Sequence, residues 1–253
     1  DLGMDPEEKK VLTKQFINPE LCKITEDLIF SNPYFDADNN KIDPEIRERA
    51  EQNWKDEELK KEVAVLKEMF MTRQQALVHG DLHTGSVFVT ESSTKAFDPE
   101  FAFFGPIGFD VGLFLGNMML NHASQRWHIA DGEKRAGYRD WLMEVFAGVW
   151  NTFDRQFREL WAEHVTTPME SSTLYRDDYM RRVFADSIGY AGTVITRRIV
   201  GLAQVEDIRS IEDAAVRGDV QIAALDTARE FILRRHDFAS IEEVVAVIDR
   251  LSV

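Results

Sequence analysis

Apolar positions along most of this chain recur every three to four residues, the spacing that gathers them on one face of an α-helix. A helix is predicted over residues 18–30, where Asn18 is the N-cap and Pro19 is the first helical residue. A second helix is predicted from Asp43 onward, opened by the same residue types. Its apolar face carries Trp54, Leu59, Val63, Leu66 and Phe70.

The same periodicity returns in the second half of the chain. It predicts helices at roughly 110–129, 133–164, 174–205, 211–235 and 240–252. Glycines at positions 108, 112 and 116 form a smooth ridge on the first of these, so another backbone is expected to pack closely there. Asp110 is expected either to cap this helix or to reach back to the backbone of residues 79–86.

The pattern changes between the two helical parts. Residues 76–78 are apolar, residues 87–90 are β-branched or aromatic, and residues 91–94 are typical of a turn. A small hairpin is therefore predicted over residues 77–98, with Asp81 and Asp98 near its ends. The fold class predicted is mainly α with this small β hairpin.

Charge excludes some classes of partner. The 45 Asp and Glu residues exceed the 30 Lys and Arg residues and give a net charge of −15, which argues against a nucleic-acid or anionic-membrane binder. The single cysteine rules out an intramolecular disulfide and fits a reducing compartment. The charged N-terminal stretch does not resemble a secretory signal, and the longest apolar run, of about ten residues, is half a membrane span. A cytoplasmic location is expected.

The segment from residue 76 to residue 125 has few charges, and nearly all of them are acidic. It has one base, Lys95, against the acids Asp81, Glu91, Asp98, Glu100 and Asp110. Such a segment suits a site for Mg²⁺, or a core with a few capping carboxylates.

Three hypotheses fit the motif His79-Gly80-Asp81-Leu82-His83. His79, Asp81 and His83 alternate along extended chain and could ligate a metal such as Zn²⁺, as in a metal-dependent hydrolase. Alternatively, Asp81 is the carboxylate that orients a substrate hydroxyl in phosphoryl transfer, and the histidines brace its loop. In the third, Asp81 caps a turn and both histidines are structural.

Two further groups are candidates for ligand binding. Asp98-Pro99-Glu100 offers two carboxylates to a hard cation such as Mg²⁺, although the tripeptide also resembles a helix N-terminus. Arg197 and Arg198 lie in an apolar helical stretch, where they could bind an anionic or hydroxylated ligand or form an interhelical ion pair. Adjacent helical residues point about 100° apart, so at most one is expected to face the core squarely.

Taken in order, the motifs HGDLHTGS (79–86), DPE (98–100) and GPIGFD (105–110) resemble small-molecule kinases with a protein-kinase-like fold. That group includes aminoglycoside phosphotransferases and choline and homoserine kinases. The closer similarity is to the methylthioribose kinases of methionine salvage. It is carried by residues 16–30, 76–89, 97–117 and 195–208.

The resemblance implies a role for each matching residue. Asp81 would contact the methylthioribose hydroxyl that receives the phosphate, and Arg197 and Arg198 would bind substrate. Asp98 and Glu100 would hold Mg²⁺ against the phosphates of ATP, with the backbone of residues 98–100, Pro99 included, beside the nucleotide.

The resemblance also implies supporting residues and a partner. His79 and Asp110 would brace the catalytic loop. Ser86 stands where the wider superfamily has an asparagine metal ligand, and because a hydroxyl is a poorer ligand for Mg²⁺, the metal would depend more on Glu100. A homodimer is also implied.

Kinases of this fold have a β-rich N-lobe that grips ATP, and the sequence lacks its signatures. It contains no GxGxxG or Walker motif, and the residues before Asp81 are predicted to be helical. We therefore expect residues 1–253 to be a C-terminal lobe, with a catalytic segment (76–117) and a helical substrate-binding subdomain (118–253), inactive alone. The alternatives are another kinase of the superfamily, the metal-dependent hydrolase, and a non-catalytic helical regulatory domain.

Overall fold

The computed structural model describes residues 4–251. The last residue of the helix predicted at 240–252 and both ends of the lobe predicted over residues 1–253 lie outside the described residues. The described chain is mostly helical. Its helices are α1 (Pro6–Gln15), α2 (Pro19–Phe30), α3 (Arg47–Lys55), α4 (Glu57–Thr72), α5 (Ile107–His128), α6 (Gly132–His164), α7 (Thr173–Val200), α8 (Glu206–Arg209), α9 (Ala214–Arg234) and α10 (Ile241–Leu251). Its strands are β1 (Ala76–Val78), β2 (Val87–Val89), β3 (Thr94–Ala96) and β4 (Phe103–Gly105).

Helix α1 was not predicted from the sequence. None of its side chains is buried, so it has no apolar face for a periodicity analysis to detect. Its N-terminus is set by Asp5, whose carboxylate accepts hydrogen bonds from the backbone N–H groups of Glu7 (2.9 Å) and Glu8 (3.2 Å).

The prediction of one long helix from Asp43 through residue 70 is wrong in one respect. The structure has a 3₁₀ turn over Pro44–Ile46 and then two helices, α3 and α4, separated at Asp56. Asp56 has extended backbone and caps α4, because its carboxylate accepts from the Leu59 N–H at 3.0 Å. Arg229 of α9 pairs with the same carboxylate at 2.8 Å, so a distant helix stabilises the break.

The predicted hairpin is correct for β2 and β3, which pair antiparallel with Val87 opposite Ala96. It is wrong for the residues before them. Strand β1 pairs with β4 instead, with Val78 opposite Phe103, and forms a separate two-stranded sheet. Both ends of the segment between residues 79 and 102 are thus fixed to the core, and its middle is the exposed β2–β3 hairpin.

Packing of α5 against α7 forms the centre of the fold. The glycine ridge on α5 does meet another backbone, as predicted. A Cβ at Gly112 would lie 2.6 Å from the Ser187 carbonyl oxygen, and one at Gly116 would lie 3.0 Å from that of Ala191. This close approach fixes the first half of α5 relative to the middle of α7.

An aromatic cluster attaches the small β1–β4 sheet to the helices. Phe109 of α5 contacts the rings of Phe70 (4.9 Å), Tyr190 (5.3 Å) and Phe103 (6.5 Å), measured between centroids. These side chains are buried, so the loop that follows β1 rests on a closely packed base. No helix within residues 4–251 is both long and apolar enough to cross a bilayer.

Candidate active site

The loop that follows β1 is held by one carboxylate from the first turn of α5. Asp110 accepts hydrogen bonds from the backbone N–H groups of His79 at 2.6 Å and Gly80 at 2.9 Å. It therefore reaches back to this loop, which was one of its two expected roles. Burial raises the pKa of Asp110, while the two backbone N–H groups act in the opposite direction and favour the carboxylate.

Gly80 allows two segments of the site to touch. Its φ of +82° lies in the left-handed region, and a Cβ there would lie 2.2 Å from the Phe101 carbonyl oxygen. The Asp81 loop and the turn that follows Asp98 are therefore in direct backbone contact. The two acidic motifs, which are separated in sequence, lie side by side.

His79 makes local contacts with both ring nitrogens. Its Nε2 lies 2.9 Å from the Phe97 carbonyl oxygen, and its Nδ1 lies 3.4 Å from the Asp81 backbone nitrogen. These contacts brace the loop against the end of β3. Within residues 4–251, no group of three His, Cys, Asp or Glu side chains could hold a metal ion, which contradicts the hypothesis of a Zn²⁺ site at His79, Asp81 and His83.

Ser86 closes the loop from within. Its side chain is buried, and its hydroxyl donates to the Asp81 carbonyl oxygen at 3.1 Å. Its own carbonyl accepts from the Phe97 N–H at 3.0 Å, which ties the loop to the hairpin. The structure thus gives Ser86 a structural contact, and its predicted role as a metal ligand stays a prediction.

The carboxylates of Asp98 and Glu100 are exposed and have no hydrogen bond or ion pair with any residue of the described chain. Asp98 has a φ of +65°, a conformation that costs energy for a residue other than glycine and is concentrated at functional sites. Its side chain does not cap the 3₁₀ turn over Pro99–Phe101, so the helix N-terminus hypothesis does not explain it.

The backbone of this turn has a partner that the sequence analysis missed. Asn18, just before α2, donates through its amide nitrogen to the Glu100 carbonyl oxygen at 2.7 Å. Asn18 was predicted only as the N-cap of α2, and its side chain makes no capping bond there. Nothing in the local sequence indicates a contact across more than 80 residues.

Arg197 and Arg198, in the last turn of α7, face the same region as Asp81. Burial, the largest effect, lowers the pKa of Arg197 to about 10 and also lowers the pKa of Arg198, while the Asp81 carboxylate acts in the opposite direction on both. The Nε atom of each is buried without a hydrogen-bond partner, and neither arginine forms an ion pair with a described residue. This excludes the interhelical ion pair.

Both arginines are partly buried, and neither is buried fully. The expectation that at most one of them faces the core squarely stays a prediction. Arg198 donates to the Ala203 carbonyl oxygen at 2.8 Å, and Ala203 itself has a φ of +60°. Two cationic side chains, with donors left unpaired, are thus held beside Asp81.

Three cavities of the described chain lie away from this cluster. One, of about 720 Å³, lies between α6 and β1 and is lined in part by Phe157, Trp161 and Tyr179. Neither it nor those of about 340 and 360 Å³ is lined by Asp81 or the two arginines. Asp98 is exposed, so this side of the candidate site is an open face of the described chain.

Comparison of the sequence with known proteins places the chain in one family. Residues 17–163 match the phosphotransferase enzyme family. The chain is 41% identical over 244 residues to a methylthioribose kinase of Geobacillus sp. (strain WCH70), a match that covers 96% of the chain and 59% of that protein. It is 38% identical to a methylthioribose kinase of Escherichia coli O45:K1 (97% and 61%) and 41% identical to methylthioribose kinase 1 of Oryza sativa subsp. japonica (94% and 58%). The chain spans about three fifths of the length of these curated relatives.

Proposed function

This chain belongs to the phosphotransferase enzyme family, and from that membership we propose that it forms the catalytic and substrate-binding part of a methylthioribose kinase. The proposed reaction is the ATP-dependent phosphorylation of 5-methylthioribose to 5-methylthioribose 1-phosphate, a step of methionine salvage. The observation that carries the proposal is the meeting of Asp81, the unpaired carboxylates of Asp98 and Glu100, and two arginines with unpaired donors at one open face.

Asp81 is the proposed proton acceptor. The substrate hydroxyl donates to its carboxylate, and as the hydroxyl oxygen bonds to the γ-phosphorus of ATP, the bond from that phosphorus to the β–γ bridging oxygen breaks. The proton passes to Asp81 and the electron pair leaves on ADP. Catalysis of this kind depends chiefly on positioning and charge stabilisation. The fixed loop provides the positioning, through Asp110 and Gly80.

Arg197 and Arg198 are the proposed binding groups for the substrate and for the charge on the transferring phosphoryl group. Both sit where burial reduces competition from water, which strengthens their interaction with an anion. An unpaired buried Nε is costly to leave without an acceptor, so a bound oxygen ligand would satisfy it.

Asp98 and Glu100 fit Mg²⁺ better than a transition metal. Their ligand atoms are carboxylate oxygens on a short turn, which suits a cation held by one or two carboxylates together with substrate phosphates. When bound, the ion would offset the charge of the ATP phosphates. The residues of this chain would hold it beside the Asp81 loop, to which the turn is attached through Gly80.

The open face lacks elements that cradle a nucleotide, and we propose that a further part of the same protein, a β-rich N-lobe, supplies them. Two apolar side chains of the hairpin, Phe88 and Val89, are exposed beside the site, and Phe88 stacks on Phe97 at 4.2 Å. Such a surface is consistent with cover by another structural unit. We also propose a homodimer and a cytoplasmic location.

The test uses the full-length protein and a panel of acceptors: methylthioribose, choline, homoserine and an aminoglycoside. We expect ATP-dependent product with methylthioribose. Asp81→Asn should lower kcat by about 1,000-fold or more, since the hydroxyl proton then has no acceptor. A matched control is Asp219→Asn, which neutralises an exposed carboxylate on α9 and should leave kcat unchanged.

Two results would contradict the proposal. Preference for another acceptor would identify a different kinase of the superfamily, and normal kcat in Asp81→Asn would show that Asp81 is not the proton acceptor. The 253-residue chain alone is expected to make no product. Product from that chain would disprove the need for an N-lobe.

A further inference from the structure

His83 has a defined geometry that the proposed mechanism does not yet use. Its Nδ1 accepts a hydrogen bond from the Gly85 backbone N–H at 3.0 Å. A neutral imidazole that accepts at Nδ1 carries its proton on Nε2. That Nε2 lies 3.7 Å from Oδ2 of Asp81, the carboxylate proposed to accept the substrate proton.

Gly85 keeps the ring in this position. A Cβ at Gly85 would lie 2.9 Å from Cε1 and 3.0 Å from Nδ1 of His83, so any larger residue would displace the imidazole. The hydrogen bond from the Gly85 N–H is also the cap of the 3₁₀ turn over Thr84–Ser86. Two backbone features therefore hold the ring with Nε2 on the side of Asp81.

The surroundings of His83 favour the neutral ring. Burial is the largest effect and lowers the pKa of His83. The nearby Arg198, Arg197 and His79 lower it further, and the Asp81 carboxylate raises it. The net direction is downward, which agrees with the neutral ring, protonated on Nε2, that the hydrogen bond from Gly85 indicates.

We propose that His83 is a positioning residue, which holds the Asp81 carboxylate through Nε2–H and so aims its free oxygen at the substrate hydroxyl. This inference rests on the proposed kinase function for its catalytic consequence. The separation of 3.7 Å exceeds a hydrogen bond, and such contacts commonly shorten when substrate closes the site.

A neutral donor suits this position better than a cation would. A guanidinium in direct contact with Asp81 would stabilise its anion and weaken it as a proton acceptor. A neutral N–H fixes the orientation of the carboxylate with less loss of basicity. Arg197 and Arg198 act near Asp81, and neither forms an ion pair with it in the described chain.

Two substitutions separate this role from simple capping of the turn. In His83→Asn the amide oxygen takes the place of Nδ1 and can still accept from Gly85, but the donor at Nε2 is lost. In His83→Gln the amide nitrogen reaches the place of Nε2, but the cap is lost. If His83 positions Asp81, His83→Asn in the full-length protein should lower kcat by about 10- to 100-fold, with the KM for ATP within about twofold.

The two variants give opposite results for the two roles. Positioning predicts that His83→Gln recovers most of the kcat that His83→Asn loses. Capping alone predicts that His83→Asn is the more active variant, and that result would overturn the proposal. Equal loss in both variants, or no loss in either, would overturn it as well.

A second measurement does not depend on activity. In full-length protein labelled with ¹⁵N-histidine, NMR should show His83 as the Nε2–H tautomer, identified by its absence in His83→Asn. Its pKa should fall further in Asp81→Asn, because the carboxylate that raises it is gone. Two results would overturn the contact: the Nδ1–H tautomer, or a pKa of His83 that is unchanged in Asp81→Asn. Failure of the acceptor panel together with the expected spectra would reject the kinase function and retain the contact.

Discussion

Replacing Gly112 by alanine tests whether the contact between α5 and α7 sets the geometry of the site. The new Cβ would lie 2.6 Å from the Ser187 carbonyl oxygen, 2.6 Å from Cβ of Tyr190 and 2.9 Å from the Ala191 nitrogen. Two of these three atoms belong to helix backbone and the third is bonded to it. Relief of the clash therefore requires α5 and α7 to separate, by a distance on the order of 1 Å.

Two opposing effects decide the magnitude. Alanine in a helix interior gains about 1 kcal/mol over glycine through helix propensity. Overpacking of a closely packed contact costs about 1–3 kcal/mol, and more where backbone is involved. We expect the cost to dominate in Gly112→Ala, with the free energy of unfolding lowered by about 1–2 kcal/mol. Since α5 carries Asp110 and α7 carries Arg197 and Arg198, kcat should fall as well.

Urea unfolding followed by circular dichroism measures this change as a shift of the midpoint to lower urea. The chain offers matched controls in α6, where a Cβ at Gly137 or Gly148 would meet no atom within 4 Å. There the propensity gain acts alone, and alanine should stabilise by up to about 1 kcal/mol. If Gly112→Ala is as stable as the control variants, helix contact at this glycine does not constrain the fold.

Three further predictions concern pH and the loop. His122 is buried and accepts from Arg139 Nε at 3.0 Å, and its pKa is lowered from 6.5 to about 4, so the unfolded chain binds more protons between these pH values. The free energy of unfolding should therefore fall as pH decreases from about 6.5 to 4. A shift of about 2.5 pKa units at 1.36 kcal/mol per unit corresponds to about 3 kcal/mol. His122→Gln should flatten the profile of urea midpoint against pH. Gly80→Ala should lower both stability and kcat, since its Cβ would meet the Phe101 carbonyl at 2.2 Å; an unchanged urea midpoint would refute this. Asp110→Asn turns an amide nitrogen toward a backbone N–H of the loop, and we expect a loss of about 1–3 kcal/mol with reduced kcat, measured by the same assays.

Some of this protein follows from local sequence alone. Apolar periodicity predicts most of the helices, because a helix buries one face and the apolar residues of that face recur every three to four positions in the sequence. The glycine ridge at 108, 112 and 116 predicts a close helix contact, because only a residue without Cβ permits one. The order of the acidic motifs indicates the family, since each residue type suits one task in phosphoryl transfer.

Other features depend on contacts between distant residues. The break at Asp56 is stabilised by Arg229, the pairing of β1 with β4 joins strands about 25 residues apart, and Asn18 binds the turn at Glu100. Strand pairing and side-chain partners are set by which surfaces meet after the core closes, and no local pattern encodes them.

The position of His83 is the clearest case of this division. The sequence places an imidazole two residues after Asp81 and leaves its role open between metal ligand, loop brace and structural residue. The tertiary structure decides which nitrogen faces Asp81, through the Gly85 N–H and the space that glycine leaves. Residue types limit the chemistry that a site can perform. Backbone geometry, fixed only when β1, α5 and α7 pack together, determines which atoms meet.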